Sequence, residues 1–177
     1  MNAVPRSRPD PAAALAELSA DCPFTSTQGM GHSKYWKTPL DNHYLAAVDR
    51  MVPEELDREI RNASAALSGY YRAERVLTEI QESCPAQGEA ELKLWILAAR
   101  NLQLRARFAL LLLYRRGYHE LVFTDKIHDD LLEMRGKMEA MYQDKLTGDC
   151  MQRFLYILFN LPLKTLQTLE QTIPLLP

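Results

Sequence analysis

The fold is decided by residues 89–116, EAELKLWILAARNLQLRARFALLLLYRR, in which apolar side chains recur at spacings of three and four. Such spacings place side chains on one side of an α-helix. A first apolar row consists of Leu92, Trp95, Ala99, Leu102, Ala106, Ala109 and Leu113. A second row consists of Leu94, Leu97, Leu104, Phe108, Leu111 and Leu112. The polar stripe that remains consists of Lys93, Arg100, Gln103 and Arg107. We therefore expect a helix that is apolar around most of its circumference and lies in the middle of a bundle or at an interface.

The chain before this stretch also has the pattern of helices. Thr38 is a residue type that caps helices, and Pro39 suits the first helical position, so a short helix is expected to follow. Pro53 ends that helix and begins a longer one, which extends to about Glu82. A break at 83–88, SCPAQG, separates it from the stretch quoted above.

The chain after this stretch predicts two further helices. Gly117 is expected to end the long helix, because glycine is favoured just past a helix C-terminus. A fourth helix is expected to begin at Thr124 or the aspartate after it and to end at Gly148 for the same reason. Asp149 then begins a fifth helix, which Pro162 kinks or restarts.

These segments together predict an all-α fold. No strand-like alternation persists over five residues, and the loops inside 39–173 are short, which favours antiparallel neighbours. Residues 1–38 differ, because prolines and turn-forming residues interrupt them. They predict an extended, partly ordered N-terminal arm with one short helix from Asp10 to about Ala20. The expected architecture is this arm followed by an antiparallel bundle of about five helices over 39–177.

Length and composition limit the class of protein. The chain has 177 residues, 47% of them hydrophobic and 25% charged, which suits one soluble domain. Its net charge of −2 provides no general attraction to nucleic acid, and the arginines of the long helix do not all lie on one side. Acidic neighbouring helices are instead expected to pair with them. Nucleic acid is therefore not an expected partner.

The cysteines and the hydrophobic stretches suggest a compartment. Cys22, Cys84 and Cys150 are far apart and odd in number, and no zinc-ligand spacing is present, so no disulfide framework or cofactor is expected. Residues 1–9 lack the apolar region of a secretory signal. Residues 92–114 carry four cations, which disfavours a membrane span. We expect an intracellular protein, cytoplasmic by default.

Five residues are candidates for binding a protein partner. Met134, Met138 and Met141 recur on one side of the fourth helix, and flexible thioethers adapt to different surfaces. Tyr35 and Trp36 follow the irregular part of the arm and suit an anchor for another polypeptide. Each set also has a structural interpretation, as core packing for the methionines and as attachment of the arm for the aromatic pair.

An acidic cluster at the start of the fourth helix provides the alternative of a metal site. Asp125, Asp129 and Glu133 are four apart and share a face, with His128 beside them. Helical metal-dependent hydrolases use an adjacent His-Asp pair, which here is His128 and Asp129. The competing interpretation is an acidic first turn that complements the positive end of the helix dipole.

Arg105 stands apart from the other cations of the long helix. It lies one turn after Asn101 and among apolar residues, on the side opposite the polar stripe. A buried arginine must be paired, since an isolated buried charge costs several kcal/mol. One interpretation is an ion pair with Glu74 or Asp129. The other is an internal pocket in which Asn101 and Arg105 bind an anionic ligand.

The expected function follows from the apolar faces and from the lack of a catalytic signature. The sequence predicts a non-catalytic intracellular interaction module, such as an adaptor, a chaperone or a complex subunit. It would bind a partner polypeptide, or a second copy, through apolar helix faces and the arm. The alternatives are a small all-α metal-dependent hydrolase using His128 and Asp129, and a ligand-sensing bundle with a pocket at Arg105.

Overall fold

A computed structural model of the chain describes residues 9–19, 43–83, 85–120 and 122–172. The helices are α1 (Pro11–Leu18), α2 (His43–Asp49), α3 (Pro53–Glu82), α4 (Ala86–Tyr118), α5 (Thr124–Tyr142), α6 (Gly148–Leu155), a π-helical turn (Tyr156–Asn160) and α7 (Leu161–Thr172). Within these ranges there is no β-strand. The all-α fold predicted from the sequence is therefore confirmed.

The centre of the molecule is the antiparallel pair of long helices, α3 and α4. The buried residues of α3 recur at spacings of three and four, from Leu56 and Ile60 to Leu77, and face α4. Along α4, the four consecutive residues 110–113 are all buried, so this half of the helix is covered on every side. Despite this apolar character, no helix in the described part of the chain is long and uncharged enough to cross a membrane.

Shorter helices cover the C-terminal half of α4. Tyr44 of α2 packs edge-on against Phe108, with ring centroids 5.2 Å apart. Ile127 and Leu131 of α5 belong to the same core, as does Phe159 of the π-helical turn. These contacts bury the apolar residues that periodicity had assigned to a bundle core.

The helix of the N-terminal arm packs against α3. Asp10 caps α1 as predicted, because its Oδ1 accepts a hydrogen bond from the amide of Ala12 at 2.9 Å. Ala14 is buried in a second apolar cluster together with Ala73, Leu77 and Ile96. The guanidinium of Arg72 also binds Glu17 at 2.9 Å. This part of the arm is therefore attached to the helices of the bundle.

The predicted end of the long helix at Gly117 is wrong. The helix continues through Gly117 to Tyr118, and His119 follows in a left-handed conformation with φ of 56°. Its amide donates a hydrogen bond to the carbonyl of Arg115 at 3.1 Å. The glycine has a packing role instead, because a Cβ atom there would lie 2.8 Å from Cδ2 of Leu56.

Two boundaries near the C-terminus also differ in detail from the prediction. The fourth helix ends at Tyr142, and Gly148 is the first residue of the next helix. Pro162 does restart the helix, since it is the second residue of α7. A proline lacks an amide donor and disrupts the helical bonding before it. The π-helical turn accommodates this, with the amide of Leu161 bonded to the carbonyl of Tyr156.

Candidate interaction surface

Two large apolar side chains near the start of α4 are exposed to solvent. Leu94 is 41% exposed and Trp95 is 40% exposed. Glu91 precedes them by three and four positions and is exposed, and Ala98 follows them by four and three and is half-buried. Residues at these spacings are neighbours on a helix surface. We call Glu91, Leu94, Trp95 and Ala98 the α4 N-terminal face.

The same sides of α4 are covered further along the helix. Leu112 and Leu113 follow Leu94 and Trp95 by about five full turns, so each pair points in the same direction. Leu112 is 1% exposed and Leu113 is 0% exposed. The expected cover by other helices is therefore confirmed for the C-terminal half, whereas Leu94 and Trp95 stay partly exposed and an interface there stays a prediction.

The α4 N-terminal face carries a negative charge. Glu91 forms no ion pair with any side chain in the described ranges. The cation nearest to it in sequence, Lys93, is held by Glu89 at 2.6 Å. A charge left without a partner beside exposed apolar groups is typical of the rim of an interface.

A groove of about 390 Å³ lies along the polar stripe of α4, between α3 and α5. Arg100 donates from Nε to Glu74 Oε1 at 2.6 Å, and the amide nitrogen of Gln103 donates to Glu74 Oε2 at 2.7 Å. On the other wall, Arg107 Nη2 binds Asp130 Oδ2 at 2.9 Å. The predicted pairing of the stripe with acidic neighbouring helices is confirmed at these contacts.

The remaining charges of this groove are also paired within the protein. Lys137 donates a hydrogen bond to Glu133 one turn earlier on α5. That contact, together with the nearby Arg100, holds the pKa of Glu133 below its ordinary value. Because each charged group that lines the groove has a partner of opposite sign, the groove offers no surplus charge to a ligand.

Asn101 and Arg105 are buried, with exposures of 8% and 9%. The two acids predicted as ion-pair partners of Arg105 have other surroundings. Glu74 is bound by Arg100 and Gln103, and the Asp129 side chain is 86% exposed beside His128. Burial raises the pKa of Tyr44, and the positive charge of Arg105 lowers it in part.

The methionines predicted to bind a partner are largely core residues. Met134 and Met138 are 7% and 6% exposed and belong to the main apolar cluster. Met141 is half-buried and packs against the same cluster. Packing within the bundle accounts for Met134 and Met138, whereas Met141 keeps part of its surface exposed and its role in binding stays a prediction. Tyr35 and Trp36 lie outside the described residues.

The candidate metal ligands do not converge in the described structure. Nδ1 of His128 lies 3.4 Å from Oδ1 of the neighbouring Asp129, and both side chains face solvent. Glu133 is bound by Lys137, and the side chain of Asp125 is outside the description. Among the side chains that are described, no three histidine, cysteine or carboxylate groups come together to hold a metal.

The sequence prediction missed the exposure of Leu94 and Trp95 because periodicity shows which residues share a face and not how far a neighbour extends. One signal was present in Glu91, since a fully buried helix face rarely contains an unpaired carboxylate.

Protein-family models, curated proteins and solved structures were compared with this chain, and none matches. Function is therefore inferred from the geometry of the described residues.

Proposed function

We propose that this protein is a non-catalytic interaction module, such as an adaptor, a chaperone or a complex subunit, and that it binds another polypeptide through the α4 N-terminal face. One observation carries the proposal. Leu94 and Trp95 are 41% and 40% exposed, whereas the residues five turns later on the same sides of α4 are buried. Tryptophan in particular is enriched among the residues that dominate binding energy.

The proposed occupant is an amphipathic helix of a different polypeptide that carries a lysine or arginine beside its apolar face. Its apolar side chains would cover Leu94 and Trp95 and pack closely over the small side chain at Ala98. Its cation would pair with Glu91. A second copy of this chain docked through the same α4 N-terminal face fits less well, because the cation of that stretch, Lys93, is already held by Glu89.

The cellular setting belongs to the same proposal. We infer an intracellular partner, because the sequence has few cysteines and Cys150 is an exposed free thiol. The hydrolase alternative is not carried further, since the contact of His128 and Asp129 is a solvent-exposed pair. The ligand-sensing alternative has support in the burial of Asn101 and Arg105 and in the buried side-chain oxygen of Asn101, which has no hydrogen-bond partner among the described residues.

A photo-crosslinking residue placed at position 95 tests the proposal directly. The control carries the same residue at position 71, where Tyr71 on α3 is 48% exposed. We expect adducts from position 95 to map to one helical segment of a different protein that contains a basic residue, with few adducts from position 71. Equal labelling from both positions would contradict the proposal, and adducts between two copies of this chain would show self-association instead.

A charge substitution then tests whether the contact is apolar. Leu94→Glu is expected to abolish binding to the cross-linked partner, because it buries a second carboxylate beside Glu91. Leu132→Glu is the matched control, because Leu132 is also an exposed leucine, 45% accessible, on α5. Both variants are expected to keep the wild-type circular dichroism spectrum. Equal loss of binding in the two variants would exclude a specific role for the α4 N-terminal face.

A further inference from the structure

A second cavity lies at the other end of α4, where the link between α2 and α3 meets the last turn of α4. Its volume is about 300 Å³, and its lining residues are Met51, Pro53, Leu56, Asp57, Arg116, Gly117 and Tyr118. It is separated from Leu94 by about 33 Å along the helix axis. The absence of a side chain at Gly117 allows Leu56 to approach α4 and form the floor. We call this cavity the α4 C-terminal pocket.

The α4 C-terminal pocket combines an apolar interior with one cation, Arg116, and one carboxylate, Asp57. Met51, Pro53 and Leu56 provide the apolar surface. Arg116 is exposed at the edge and forms no ion pair with the side chains that the structure describes. The carboxylate of the lining, Asp57, accepts a hydrogen bond at 3.4 Å from the hydroxyl of Tyr118, which also lines the pocket, and forms no ion pair with Arg116.

The surface beside the pocket is also apolar and aromatic. Val52, next to Pro53 in the chain, is 56% exposed, and Tyr118 is 54% exposed. The ring of Tyr118 packs against that of Tyr114, with centroids 5.5 Å apart. This stacking fixes the orientation of the exposed ring. A ligand that fills the pocket and continues as a chain would therefore meet further contact surface outside it.

We propose that the α4 C-terminal pocket binds the C-terminal residue of a peptide whose last side chain is apolar. The side chain would enter the space over Leu56 and Met51. The α-carboxylate would pair with Arg116, since a guanidinium binds a carboxylate through two parallel hydrogen bonds. The pocket lies at the small end of the range for ligand sites, which suits one side chain. The peptide, rather than a free carboxylic acid, is favoured because Val52 and Tyr118 extend the apolar surface beyond the pocket.

Fluorescence anisotropy with the full chain tests this assignment. The probes are three labelled heptapeptides of otherwise identical sequence: one ending in a free leucine, one ending in a leucine amide, and one ending in a free lysine. We expect the free-leucine peptide to bind at least about tenfold more tightly than the other two, because only it has both the carboxylate and the apolar side chain. Equal binding of the acid and the amide would overturn the proposal, as would no binding of the acid at millimolar protein. Octanoate is added as a competitor. If octanoate binds and the peptides do not, the pocket is a site for free carboxylic acids and the peptide proposal is overturned.

Substitution of the arginine identifies the group that recognises the carboxylate. Arg116→Gln is expected to weaken binding of the free-leucine peptide by about tenfold and to leave binding of the leucine-amide peptide unchanged. The two peptides should then bind with equal affinity. Arg115→Gln is the matched control, since it removes the neighbouring cation that does not line the pocket. Both proteins are first checked for unchanged thermal unfolding. If Arg115→Gln weakens binding of the free-leucine peptide as much as Arg116→Gln does, the effect is a general electrostatic one and not a specific contact, and the proposal fails.

Discussion

Gly117 of α4 and Leu56 of α3 are so closely packed that a Cβ atom at the glycine would lie 2.8 Å from Cδ2 of the leucine. Leu56 is 7% exposed and belongs to the main core. Gly117 has ordinary helical geometry, since no described glycine has a positive φ. Its role is therefore to allow close contact between two helices.

Gly117→Ala is expected to destabilise the protein. Overpacking costs about 1–3 kcal/mol, and the better helix propensity of alanine returns up to about 1 kcal/mol of this. The measurement is the free energy of unfolding in urea. Gly136→Ala is the matched control, because nothing lies within 4 Å of a Cβ atom at Gly136, and it is expected to stabilise the helix. Equal stabilisation in both variants would show that the side chain of Leu56 moves away from the new methyl group without a loss of stability.

The helical architecture was predictable because the apolar spacing in α3 and α4 is long and regular. Pro53 also marked the start of α3 correctly, since a proline is tolerated at the first helical position. The role of Gly117 was not predictable, because a glycine that ends a helix and one that admits a neighbour look the same in a sequence. The difference depends on where Leu56 lies in space.

The candidate site was predicted less well than the fold. The sequence offered Met134 and Met138 as candidates for partner binding, with core packing as the competing interpretation, and both are buried. It placed Trp95 in a buried row, and this residue is 40% exposed. Periodicity gives the direction of a side chain, but coverage depends on the lengths and positions of neighbouring helices. Those follow from tertiary packing and not from a local pattern.

Gln103 is expected to contribute more to stability than the neighbouring Arg100. Gln103 is 6% exposed and donates to Glu74 at 2.7 Å and to the carbonyl of Tyr70 at 3.3 Å. Loss of a buried hydrogen bond to a charged group costs about 1.5–3 kcal/mol, so Gln103→Ala should lower the free energy of unfolding by about this amount. Arg100 has a half-exposed side chain, and Arg100→Ala should cost at most about 1 kcal/mol.

A double-mutant cycle in urea separates this hydrogen bond from simple loss of packing. The coupling energy between Glu74 and Gln103 is expected to exceed that between Glu74 and Arg100. The reverse order would show that the solvent-facing ion pair, and not the buried amide, is the main link between α3 and α4 at this level.

Trp95 is expected to behave as a solvent-exposed fluorophore beside a negative charge. The chain has two tryptophans, so Trp36→Phe leaves Trp95 as the single reporter. Because Glu91 is one turn away, the quenching constant of caesium should be raised and that of iodide lowered relative to those of free N-acetyltryptophanamide at matched ionic strength, and Glu91→Gln should reduce this asymmetry. Addition of the cross-linked partner should then protect the indole from both ions. Weak quenching in the isolated protein would contradict the exposure of this residue.

Glu133 is expected to titrate at a lower pH than an ordinary glutamate. Its hydrogen bond from Lys137 is the largest cause, and together with the charges of Lys137 and Arg100 it lowers the pKa below the usual value of 4.5. A lowered folded-state pKa means that the stabilising contribution is present above about pH 4.5 and is lost as the pH falls through the folded-state value. Carboxyl NMR titration of the Lys137→Gln variant should therefore show the pKa of Glu133 moving up towards 4.5. Glu89 is the internal control, because Lys93 lowers its pKa and the substitution leaves that pair intact. A Glu133 titration that does not change in the variant would show that Lys137 does not hold this carboxylate in solution.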